Sequence, residues 1–275
     1  MRRPHVAGQF YRGDREGLER QIQECFLGDI GPGRLPKYSG EKRDIVGCVV
    51  PHAGYMYSGA VAAHVYFELA KQNPPETVVI ISPNHTGSGS HAALSNDDWE
   101  TPLGVVEVDK ELIGDLSKDC QTLEIDESAH RFEHSLEVQL PFLQYIYVDF
   151  KMVPICMKME KLGSIDEMAG CISKIEKNIL VIASSDFTHY ESGEFASRKD
   201  NKAISHILNM DDKRFLQTVY EDNMSICGYG PIATCIATAK KLGAKDAKLL
   251  KYSTSGDVSG DYRQVVGYAG ITLRK

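Results

Sequence analysis

Several short stretches set metal-competent or proton-handling side chains directly after apolar runs. "VGCVVPHAGYMYSG", residues 46–59, ends such a run in Pro51 and His52. "VVIISPNHTG" repeats the event at His85, and "ILVIASSDFTHY" repeats it with Asp186 and His189. Ligands of open α/β sheets collect outside the carboxyl ends of the strands, so parallel strands would bring these side chains to one edge. Each residue alone has a plainer account. A histidine after a strand often serves as a turn residue or hydrogen-bond partner, and Asp186 could cap the helix that follows. Repetition of the event is what favours a shared polar site.

Cys227 lies in "NMSICGYGPIATCIATAKK", just before a predicted helix that opens on Gly-Tyr-Gly-Pro. A helix start favours the thiolate, which is the form that acts as nucleophile or metal ligand. Cys235 falls on the apolar face of that same helix and reads as buried. "SAHRFEHSLEVQLPFL", residues 128–143, adds His130, His134 and Glu137 at the predicted start of another helix, with Leu136, Leu140 and Leu143 as its packed face. A capped amphipathic helix would explain that cluster equally well. His5, His64, His91 and His206 lack comparable neighbours and read as structural or exposed.

The elements that would position these residues alternate. Strands are predicted over 44–52, 77–85, 104–109, 150–157, 178–186, 247–253 and 265–273, where β-branched runs stop at polar or glycine turns. Near-continuous apolar runs among them read as strands buried on both faces. Helices are predicted over 59–71, 110–118, 133–147, 164–177, 194–209, 211–221 and 230–242. The pattern indicates an α/β fold with a mixed, largely parallel central sheet flanked by helices, the 104–109 run and the last two adding antiparallel strands. Residues 27–42 form the best loop candidate. With no repeat, no low-complexity tract and no shift in composition, the 275 residues read as a single domain, 1–275.

Composition excludes several function classes. Lys and Arg number 31 against 38 Asp and Glu, a formal charge of −7, and no long basic run exists to meet nucleic acid. The longest apolar runs are far shorter than a spanning helix needs, and no signal-peptide core follows Arg2 and Arg3, so the expectation is a cytoplasmic protein without a membrane partner. Seven cysteines without a CxxC pair argue against a zinc ribbon or a complete disulfide framework.

Taken together, "HVAGQFYRGD", "VVPHAGYMYSG", "SPNH", "EHSLEVQLPFL", "SSDFTHY", "ICGYGPI" and "STSGDVSGDYRQVVGYAG" resemble the Memo family, in family order and across nearly the whole chain. The resemblance implies the fold of the class III extradiol, non-haem iron dioxygenases. It places His52, His85 and Cys227 at the family's metal-binding positions and Asp186 and His189 at the accompanying polar positions. The dioxygenases hold iron with two histidines and a carboxylate, whereas a thiolate third ligand admits copper or zinc as well and argues against catechol ring cleavage.

The expectation is therefore a metal-dependent oxidoreductase site carrying iron, with copper or zinc as alternatives. His189 would act as general acid or base, with Asp186 orienting it or a bound water, and Phe10, Tyr57, His134 and Glu137 would form the pocket wall or support it. A non-catalytic module that binds a peptide or small molecule in the same pocket is one alternative, and a zinc-dependent hydrolase is another. The family setting also suggests pathway association with AMMECR1-like and radical S-adenosylmethionine proteins. Loops 86–102 and 253–263 are the candidates for a lid.

Overall fold

A computed structural model of the chain describes residues 1–158 and 162–275. The amino-terminal half runs α1 (Arg15–Leu27), β1 (Ile45–Val50), α2 (Ala60–Lys71), β2 (Thr77–Pro83), β3 (Ala92–Leu94), β4 (Trp99–Thr101), β5 (Gly104–Val106), α3 (Lys110–Asp119) and β6 (Leu123–Ile125). It continues through α4 (Leu140–Ile146), β7 (Lys151–Met157), α5 (Leu162–Ser173), β8 (Ile179–Ser184), β9 (His189–Glu191) and α6 (Gly193–Leu208). The chain ends with α7 (Asp212–Glu221), α8 (Tyr229–Lys241), β10 (Asp246–Thr254), α9 (Ser255–Ser259) and β11 (Val265–Arg274).

The main sheet has the order β10-β11-β1-β8-β2-β7-β3-β6, with β9 added against β11. Strands β1, β8, β2 and β7 are neighbours and parallel, Val50 lying level with Ser184 and Ile81 with Ala183. Strand β11 pairs antiparallel to both β1 and β10, as the last two apolar runs predict. The 104–109 run supplies β5, which pairs with β4 in a separate hairpin rather than in the main sheet. Every residue of β1, β2 and β8 is buried, because helices cover both faces. Helix α8, backed by α5 and α7, packs on β1, β8 and β2, while α2, backed by α1 and α4, covers β1, β10 and β11.

Three differences from the sequence reading have physical causes. The helix expected over 133–147 starts late: 133–136 is irregular, Glu137–Gln139 is a single 3₁₀ turn, and α4 begins at Leu140. Glu133 and Ser135 spend their polar groups on His85 and Ser184, and Pro141, which lacks an N–H, suits only a first turn. The loops at 86–102 and 253–263 are not free lids, since the first contains β3 and β4 and the second the end of β10 and α9, whose Thr254 and Asp257 form a reciprocal cap. Helix α1 and the three-residue strands β3, β4, β6 and β9 were not read from the sequence, the strands being too short to show a period. Among the described residues no helix is long and apolar enough to cross a membrane.

Candidate metal centre

Since β1, β8 and β2 are adjacent and parallel, the residues that follow them emerge at one edge of the sheet. His52 comes from β1, His85 from β2 and Asp186 from β8. His52 is 2% exposed; its backbone N–H donates to Asp186 Oδ1 (2.8 Å), and its Nδ1 lies 2.9 Å from Ser184 Oγ. His85 is gripped by Glu133, with its backbone N–H 2.6 Å from Oε2 and its Nδ1 2.9 Å from Oε1. Both rings thus turn Nδ1 away from the pocket.

His134 completes the group. Its ring stacks on that of His85 at 4.8 Å and meets His52 edge-on at 5.4 Å. One ring nitrogen from each of His52, His85 and His134 falls within 4.8 Å of the others. Phe10 closes over His134 at 4.8 Å, and its carbonyl accepts the Tyr55 N–H (2.8 Å), which ties the amino-terminal segment to the turn after His52.

Cys227 reaches the same place from the loop before α8, with Sγ 3.3 Å from His52 Nε2 and 3.3 Å from the backbone nitrogen of Asp186. Gly228 is what permits this approach. A Cβ there would lie 2.5 Å from Ser185 Cβ and 2.6 Å from the Ser184 carbonyl oxygen, so any other residue would push the loop off the strand end. Gly54, by contrast, has an ordinary backbone conformation, and the bend behind His52 does not depend on it.

The remaining expected residues separate into two groups. His189 sits nearby, with Nδ1 2.8 Å from the Ser225 carbonyl, so Ser225 and not Asp186 supplies its orienting hydrogen bond. Asp186 turns instead to the backbone of His52, and its Oδ2 lies 4.0 Å from His52 Nε2. Glu137 belongs to a different structure: its carboxylate accepts from Arg2 (2.8 Å), Tyr11 Oη (2.6 Å) and the backbone N–H groups of His5 (2.8 Å) and Val6 (3.0 Å). It clamps the segment that carries Phe10. Tyr57 stands in the turn Tyr55–Gly59, 38% exposed, and among the described residues it is not one of the rings packed on the histidines.

Electrostatics sets these groups apart from ordinary surface residues. Burial, then the neighbouring His134 and His85, holds His52 well below the usual histidine range, and burial pushes His134 down to about 4. Both imidazoles are neutral near pH 7, which leaves a nitrogen lone pair on each. Burial also works to lower His85, but its hydrogen bond to Glu133 and the charges of Glu133 and Asp186 raise it overall. Burial pushes Asp186 up to about 6. The Cys227 thiol is raised by burial and then by the charge of Asp186, which corrects the expectation that the helix start alone yields a thiolate. A cation beside it is what would favour deprotonation.

The three imidazole nitrogens are the donors grouped closely enough to share one ion, and the Cys227 thiol stands beside His52 without joining that group; nitrogen and sulfur donors of this kind suit iron, copper or zinc rather than magnesium or calcium. The residues present therefore fit a transition metal. Glu133, Ser184 and Gln139 escaped the sequence reading. Glu133 belongs to the "EHS" stretch, but its link to His85, 48 positions away, leaves no mark in a single sequence.

Comparison with known proteins places the chain among relatives of the same length. A family model described as Memo-like protein matches residues 2–272. A MEMO1 family protein of Methanopyrus kandleri is 49% identical over 100% of this chain and 99% of its own, and one of Methanosarcina barkeri is 48% identical over 99% and 100%. A crystal structure of an uncharacterized protein from Escherichia coli K12 superposes with a TM-score of 0.53 at 11% identity, covering 83% of this chain and 99% of the other, a likeness of fold alone.

Proposed function

The chain belongs to the Memo family, and from that premise and the geometry of the strand-end pocket we propose that it is a metal-dependent oxidoreductase, with iron as first candidate and copper as second. His52 and His85 would hold the metal through Nε2, with Cys227 as thiolate in the third position. The observation that carries the reading is the approach of Cys227 Sγ to 3.3 Å from His52 Nε2, beside the cluster that His52 forms with His85 and His134. Such a metal would supply Lewis acidity and one-electron redox chemistry.

The protein's own groups divide the remaining work. His189, with Nδ1 held by Ser225, presents Nε2 as proton acceptor or donor. Asp186 fixes the His52 backbone and, pushed up to about 6, can carry a proton of its own near neutrality. Phe10 and His134 wall the pocket on the side of the amino-terminal segment.

His134 supports one alternative assignment, since three imidazoles also make a catalytic zinc set. Anaerobic purification with elemental analysis of wild type, His52→Ala, Cys227→Ser and His134→Ala decides between them. Near-stoichiometric iron or copper, lost in His52→Ala and Cys227→Ser and retained in His134→Ala, is the expected result. Zinc lost in His134→Ala and retained in Cys227→Ser would establish the other set, and absence of metal from wild type after anaerobic reconstitution would overturn both.

A further inference from the structure

The groups that receive the two outward-facing imidazole nitrogens are joined to one another. Ser184 Oγ lies 2.6 Å from the Ser135 carbonyl oxygen, 2.8 Å from Gln139 Nε2 and 2.9 Å from His52 Nδ1. A hydroxyl has one proton and two lone pairs. The Ser135 carbonyl can only accept, so it takes that proton. The Gln139 amide is oriented by the Pro51 carbonyl, 3.0 Å from Nε2, and by the Tyr66 hydroxyl, 2.6 Å from Oε1, so its nitrogen donates to Ser184. One lone pair remains for His52, whose Nδ1 must therefore carry the proton.

The accounting for His85 is shorter. Glu133 is 0% exposed, and among the described residues its ion-pair partners are His85 and His134, with no lysine or arginine. An ionised carboxylate offers only lone pairs, so His85 Nδ1 also carries its proton. Ser135 links the two halves: its N–H and hydroxyl lie 2.9 and 2.7 Å from Glu133 Oε1, while its carbonyl accepts from Ser184.

We propose that Glu133, Ser184 and Gln139 form one hydrogen-bonded brace that locks both His52 and His85 in the Nδ1–H tautomer and aims both Nε2 lone pairs into the same pocket. These are positioning residues acting through the histidines. The brace also accounts for the irregular backbone at 133–136, where a regular helix would have occupied the Ser135 carbonyl. Only its consequence for metal affinity rests on the metal-centre reading; the tautomers belong to the metal-free protein. Outer hydrogen bonds of this type generally change metal affinity by about 10–100-fold when removed.

The test is nitrogen-15 NMR of the metal-free full-length protein, at a pH where the imidazoles are neutral, followed by cobalt(II) titration read by visible absorption. Wild type should show Nδ1–H at both His52 and His85. Ser184→Ala should release His52 alone and Glu133→Ala should release His85, each weakening cobalt binding about 10–100-fold, and Ser184→Thr should restore His52. Should Glu133→Ala fail to fold, Glu133→Gln keeps a carbonyl acceptor and must leave His85 as Nδ1–H. An Nε2–H form in wild type, or tautomers unmoved by the alanine variants, overturns the brace. Released tautomers in a protein that binds no cobalt would uphold the brace and sink the metal centre, and tight cobalt binding with unmoved tautomers would do the reverse.

Discussion

The two ends of the central strands carry buried charge in opposite ways. At the amino ends, Asp109 caps α3, accepts from Thr77 Oγ1 at the start of β2 and pairs with Lys177 at 2.8 Å beside a wide groove of about 830 Å³. At the carboxyl ends, Glu133 is wholly buried and meets histidines. Burial would raise either carboxyl, yet hydrogen bonds hold both below the usual carboxylate range. Lysine uses up the carboxylate's charge in a structural ion pair. An imbalanced pair of carboxylate and imidazole leaves the far nitrogen of the ring free for other work, and that is the difference between a scaffold and a site.

The largest expected effect breaks the support of the carboxyl end without touching the pocket histidines His52, His85 and His134. Glu137→Ala leaves Arg2 buried without its partner and should cost about 3–5 kcal/mol in chemical denaturation, as loss of one member of a buried pair does. A loss below about 1 kcal/mol would mean that the amino-terminal segment is not held as described.

Next comes a pH effect confined to that end. The folded value of Asp186 is raised to about 6, so the folded protein binds the extra proton and stability should fall as pH rises from about 4 to about 6, then level off. The sign follows from more protons bound folded than unfolded across that window. Asp186→Asn, which keeps an acceptor for the His52 N–H, should remove up to ~2–3 kcal/mol of this dependence in the metal-free protein. Parallel pH profiles for wild type and variant would refute the assignment.

Two smaller effects sharpen the contrast. Tyr190 adopts φ 59 where β9 bulges against β11, so Tyr190→Gly should stabilise the fold by about 1 kcal/mol, read as a raised Tm. At the opposite end, Lys177→Met removes a pair whose lysine is 37% exposed and should cost under about 1 kcal/mol, with no change in metal content. A larger loss there would erase the distinction between the two ends.

Much of the fold was legible because its strands are buried on both faces. "IVGCVV", "TVVIISP" and "ILVIAS" are near-continuous apolar runs, and each stops two residues before the one that enters the pocket. His52, His85, Asp186 and Cys227 could be picked out because their local settings, a strand end or a helix start, leave marks within a few residues. Glu137 had the same kind of local setting, but what it holds was not legible, since its partners Arg2, His5, Val6 and Tyr11 lie more than a hundred positions away.

By itself, then, the sequence determined the alternation of strands and helices, the family, and which side chains stand at the strand ends, because burial and capping act on neighbouring residues. Tertiary structure alone decided that β1, β8 and β2 lie side by side, that His134 joins His52 and His85, and that Glu133 and Ser184 hold their far nitrogens. Those contacts join residues dozens of positions apart, and no local preference encodes them. Packing selects them, because a buried donor or acceptor without a partner costs more than the order needed to supply one.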